Sequence, residues 1–147
     1  MDCLENTLRL SSGYIIAHPK NKLEFVVENG SETNKITLFG KGIWKLIAIL
    51  PDVEKSILEA SQLAEADQEL QKVVYKSFLA CFNATAYILE VQTYNGKPYC
   101  FIKRFFTLPE NPSEWLPTKL MFQIDIGMME HFKLFLRKYY VMDNKKP

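Results

Sequence analysis

Asn95-Gly96 stands between two apolar runs, Ala86 to Tyr94 and Tyr99 to Thr107, and no other feature constrains the fold of this chain as much. Both residues tolerate the positive φ of a two-residue turn, so the flanking runs are predicted to meet as an antiparallel hairpin. Alternation along the second run puts Tyr99, Phe101, Lys103 and Phe105 on one face and Cys100, Ile102, Arg104 and Phe106 on the other. Three aromatics interleaved with a lysine make a base-stacking platform. Every nucleobase has a π-face, and stacking contributes about 1 to 3 kcal/mol per base whatever its identity. The competing reading buries both faces, one under a helix and one under a second sheet or subunit. Periodicity alone favours that reading, because aromatics usually lie in cores.

The same order of elements occurs twice along the chain. In the first half, Gly13 to Ala17, Leu23 to Glu28 and Lys35 to Phe39 read as strands, with a polar loop over Asn29 to Asn34. Ile43, Trp44, Leu46, Ile47 and Leu50 then recur at helical spacing until Pro51 interrupts, and the acidic stretch from Asp52 to Leu70 reads as a further helix that connects two halves. In the second half, strand material runs over Phe78 to Phe82, Ala86 to Tyr94, Tyr99 to Thr107 and Lys119 to Ile124. Asp125 is placed to cap a helix whose apolar stripe is Met128, Met129, Phe132, Phe135, Leu136 and Tyr139. Residues 143–147 read as a solvated tail. The predicted fold class is α+β: two strands-then-helix repeats, residues 1–70 and 71–147, packed as an intramolecular pseudo-dimer.

With 147 residues, 48% of them hydrophobic, the chain can build a sizeable core without staples. Eighteen basic against 17 acidic residues leave a net charge of +1, so any attraction for nucleic acid must be local. Cys3, Cys81 and Cys100 show no C-x-x-C spacing and read as buried thiols in a reducing compartment. The N-terminal segment carries Asp2 where a signal peptide would carry a base, and no apolar run is long enough to span a bilayer, so the expected setting is intracellular, with no membrane. Neither His18 nor His131 sits in a metal-ligand set or beside a nucleophile, and Gly40-Lys41-Gly42 is only a fragment of a phosphate loop, better read as a strand-to-helix turn. No catalytic residue, metal or cofactor is assigned.

From Phe78 to about residue 140 the chain resembles the positive cofactor four family of transcriptional coactivators. Tyr94-Asn95-Gly96-Lys97 is similar to the family's Tyr/Phe-x-Gly-Lys hairpin, and Ile102-Lys103-Arg104-Phe105-Phe106 to the strand that follows it. Glu114-Trp115-Leu116-Pro117-Thr118-Lys119 is similar to the Pro-bearing loop, Phe122-Gln123-Ile124 to the fourth strand, and Met129 and Phe132 to helix positions that pack on the sheet. Asn34 to Leu38 and Gly42 to Ile47 resemble a degenerate second copy. Met121, Arg104 and Met129 depart from the family's glycine, acid and tryptophan.

The resemblance implies a curved four-stranded sheet that holds unpaired DNA. Tyr94 and Phe106 would stack on bases, and Lys97, Lys103 and Lys119 would contact phosphates. Arg104 would add a phosphate contact or mark a changed pairing surface. The expected function is therefore sequence-tolerant binding of single-stranded or melted DNA by Tyr94, Lys97, Tyr99, Phe101, Lys103, Arg104, Phe106 and Lys119, in a nuclear transcription or replication accessory role. Transcription or replication proteins are expected partners, and a homo-oligomer is left open. The alternatives are a protein-interaction module that keeps the fold without the ligand, and RNA binding.

Overall fold

The computed structural model describes residues 6–29 and 32–140; Cys3 and the expected tail at 143–147 lie outside them. Four strands, β1 (Thr7–Leu10), β2 (Gly13–His18), β3 (Lys22–Asn29) and β4 (Glu32–Phe39), form an antiparallel sheet in sequence order and lead into α1 (Gly40–Ala66). A second sheet in the same order, β5 (Lys72–Phe82), β6 (Thr85–Tyr94), β7 (Lys97–Leu108) and β8 (Asn111–Gln123), is followed by a short 3-10 turn at Ile126–Met128 and by α2 (Met129–Tyr139). The fold is α+β, with two strands-then-helix repeats packed together as a pseudo-dimer.

Each sheet turns one alternating set of residues inward. Ile15, Ala17, Leu23, Phe25, Ile36 and Leu38 are buried in the first, and Leu89, Val91, Cys100, Ile102 and Phe122 in the second, all within one continuous core. The helices are exchanged between the halves. The α1 helix lies across β5, β6 and β7, and approaches β5 so closely that a Cβ at Gly42 would stand 3.4 Å from the Leu79 carbonyl oxygen. Conversely, Phe132 of α2 meets Phe25 of β3 with ring centroids 6.4 Å apart, Phe122 meets the same ring edge-on at 5.3 Å, and the Tyr140 hydroxyl donates to the Lys22 carbonyl at 2.7 Å. Neither half buries its inner face with its own helix alone.

Two local expectations are overturned. Pro51 does not interrupt the helix: α1 runs unbroken for 27 residues through it. Its buried stripe of Gly42, Ile43, Leu46, Ile49, Leu50, Val53, Ser56, Ala60 and Ala64 extends on both sides of the proline, which is itself exposed. Burial of that stripe outweighs the roughly 3 kcal/mol that a proline costs inside a helix. Nor does Asp125 cap α2. Its carboxylate accepts from the Ser11 backbone N–H at 2.9 Å and from the Ser11 hydroxyl at 2.6 Å, tying the β1–β2 turn to the end of the second sheet, and Met128 takes the N-cap position without a side-chain bond.

Candidate nucleic-acid interface

The turn at Asn95-Gly96 positions the site. Their φ angles, 51° and 77°, are those of a two-residue turn with both residues left-handed. The register it sets runs from Tyr94 opposite Lys97 to Thr85 opposite Phe106 without a bulge. Alternation therefore holds along the whole of β7. Cys100 and Ile102 point into the core, and Tyr99, Phe101 and Lys103 point away from it, with Tyr94, Gln92, Glu90 and Ile88 of β6 beside them.

On this outer face three rings form a line. Tyr94 and Tyr99 meet edge-to-face with centroids 6.3 Å apart, and Tyr99 and Phe101 are stacked at 5.9 Å, 14° from parallel. Tyr94 is 45% exposed; Tyr99 and Phe101 are half-buried. Neither Tyr99 nor Phe101 belongs to the core shared with the first half or packs against it. The line continues to Lys103, whose Nζ lies 5.4 Å from the Phe101 ring centroid.

Lys103 is not a free cation. Its Nζ lies 2.9 Å from Glu90 Oε1 and donates to Gln92 Oε1 at 3.3 Å. The Glu90 carboxylate sits almost wholly out of water, its side chain 7% exposed and that of Lys103 21%. A carboxylate so buried needs this partner, and Lys103 spends its charge on it. Exposed cations on the same face are Lys97, at the hairpin, and Lys76 of β5, opposite Glu90.

The far end of the face is closed. Phe78 of β5 and Trp115 of β8 meet edge-on with ring centroids 5.7 Å apart. These are the two edge strands of the sheet, which if flat would hold them roughly 14 Å apart. The two side chains therefore lean toward each other across the outer face, and Trp115 packs on a small cluster of buried Ala86, Ile88 and Phe105.

Of the eight residues expected at the site, five are brought together: Tyr94, Lys97, Tyr99, Phe101 and Lys103. Two of the others stand elsewhere, and Lys119 lies between Pro117 and Met121, whose partners Phe105 and Lys103 belong to this face. Arg104 and Phe106 fall on the opposite face by alternation, beside Tyr87 and Thr85, with Arg104 exposed and Phe106 half-buried. Lys119 is exposed in the stretch of β8 that departs from regular pairing opposite Arg104. Sequence reasoning missed Glu90, Gln92 and Lys76. The signal for Glu90 was present, a lone acid inside the apolar run Tyr87-Ile88-Leu89-Glu90-Val91.

The first sheet uses its outer face differently. Glu24 is buried there among His18, whose Nε2 lies 2.9 Å from Oε1, and the Nζ atoms of Lys35 and Lys22, 3.4 and 3.8 Å from Oε2. Burial alone would raise the Glu24 pKa, but the His18 hydrogen bond and the Lys35 charge outweigh it and hold the carboxyl below its ordinary value. Nearby, Arg9 lies over the Tyr14 ring at 5.1 Å and pairs with Glu28 at 2.7 Å. Among the described residues, that face offers charges already matched to one another and no line of open rings. No helix among the described residues is long and apolar enough to cross a membrane. No protein-family model matches the chain, and no curated protein matches its sequence.

Proposed function

We propose that this protein binds single-stranded DNA with little sequence preference, on the outer face of its second sheet. The observation that carries the reading is the line of Tyr94, Tyr99 and Phe101, three rings at intervals of 5.9 to 6.3 Å on a face that the core does not use. Ring faces of this kind attract bases of any sequence. Lys97 and Lys76 supply the phosphate contacts, and Lys103 serves the platform by neutralising Glu90.

A role beside transcription or replication machinery in the nucleus is the setting that the coactivator-family resemblance brings with it. The first sheet takes no part, so one chain carries one site. Fluorescence anisotropy with an oligo(dT) of about 20 nucleotides tests the reading. Saturable binding at low salt is expected. With two phosphate contacts, the slope of log affinity against log salt should be shallow, roughly −1.4. Absence of saturable binding at low salt ends the proposal, and preferential displacement by oligo(U) would reassign it to RNA.

A further inference from the structure

Resting on that reading, we infer that the site holds only a short segment of strand, three to four bases, which enters at the Asn95-Gly96 hairpin and is stopped by the Phe78–Trp115 pair. The rings that can accept bases are Tyr94, Tyr99 and Phe101, in that order away from the hairpin. Beyond Phe101, the next positions along β7 on this face are Lys103, bound to Glu90, and then Phe105, buried beneath Trp115. A base that passed Phe101 would lie over the side chain of Lys103 and then meet the Phe78–Trp115 pair above Phe105.

The wall is built from both edges of the sheet. Phe78 comes from β5 and Trp115 from β8, and they meet over the Ile88 and Phe105 side chains that line the two central strands. Their meeting above the central strands shortens the open part of the face to the hairpin end. One ring per base then sets the footprint at about three bases, with a fourth held by its phosphate at Lys97. This ligand is a short exposed stretch or a strand end, as opposed to a long tract threaded across the sheet.

A length series tests the inference on the full chain. Oligo(dT) from about 2 to about 20 nucleotides is titrated by anisotropy, and each affinity is divided by the number of registers the oligonucleotide offers. The corrected affinity should climb to about four nucleotides and then stay level. In Trp115→Ala, which removes the wall from one edge, the level should be reached only at about six nucleotides or more. Phe78 is 39% exposed, so Phe78→Ala repeats the test from the other edge with less risk to folding. A corrected affinity that still rises beyond about eight nucleotides in the unaltered protein overturns the short footprint, as does a break at four that persists in folded Trp115→Ala and Phe78→Ala. A protein that binds no oligonucleotide of any length rejects the reading on which the inference rests, and is told apart from these outcomes by the 20-mer alone.

Discussion

Replacing Lys103 separates two roles that a lysine beside an aromatic platform can play. If it were a phosphate contact, Lys103→Met would weaken DNA binding and lower the salt dependence while the fold stayed as stable as before. The geometry gives the opposite expectation. Nζ is 2.9 Å from a Glu90 carboxylate whose side chain is 7% exposed, and removing one partner of a buried pair costs about 3 to 5 kcal/mol when the remaining charge has no water. Lys103 is itself 21% exposed, so some water reaches the site. The expected loss is therefore smaller, about 2 to 4 kcal/mol.

Urea denaturation followed by circular dichroism reads this directly. With a slope of about 2 kcal/mol per molar urea for a chain of this size, the midpoint should fall by about 1 to 2 M. Adding Glu90→Leu to Lys103→Met removes the orphaned charge and should restore most of the loss, because exchanging a buried pair for apolar groups is often close to neutral. In the same double variant the salt slope of DNA binding should not change. The reasoning is refuted if Lys103→Met is as stable as the parent, if the double variant is no better than the single one, or if the slope drops by about 0.7, the share of one lost phosphate contact.

Tyr99→Ala and Phe101→Ala should each reduce affinity for oligo(dT) by roughly 5- to 150-fold, the equivalent of about 1 to 3 kcal/mol of stacking, whereas Arg104→Ala, on the other face, should stay within about twofold by anisotropy. Glu24→Gln should destabilise the protein at neutral pH. Because the folded Glu24 pKa is depressed, its contribution is present above the unfolded carboxylate value and is lost as pH falls through the folded one, so the gap between the two urea midpoints should close as the solution is acidified below the ordinary carboxylate range. Cys81, exposed on β5, should alkylate readily in the native state. Cys100 should stay unmodified until the protein unfolds, since complete burial pushes its thiol up to about 12; mass spectrometry of the peptides decides.

The parts of the fold that local chemistry dictates were legible in the sequence. Asn95-Gly96 sets its turn through two positive φ angles, and the faces of β7 follow because β6 and β7 pair without a bulge. The edge strands were legible only in part. β8 carries Pro112 and Pro117 and reads as a loop over its first half, yet an edge strand tolerates prolines because its outer N–H groups need no partner. Cys81 was expected to be buried inside an apolar run, but β5 is likewise an edge and leaves it exposed. Lys103 shows the deeper limit. Its place on the platform face follows from alternation, but its partner Glu90 comes from β6, and pairing across strands depends on a register that sequence spacing alone does not display.

The exchange of helices explains how one sheet could keep an open aromatic face. A four-stranded sheet has two faces to satisfy, and here α1 of the first half seals the inner face of the second sheet while α2 returns to the first. The outer faces are then free to diverge, since neither is needed to close the core. On the first sheet that freedom holds a carboxylate among three basic side chains at Glu24. On the second it holds one ion pair, Glu90 with Lys103, set at the end of a line of rings. Two separate chains of identical sequence would carry the same outer face twice. Joining the copies in one chain lets one sheet brace the fold while the other keeps the exposed Tyr94 and the half-buried Tyr99 and Phe101 outside the core.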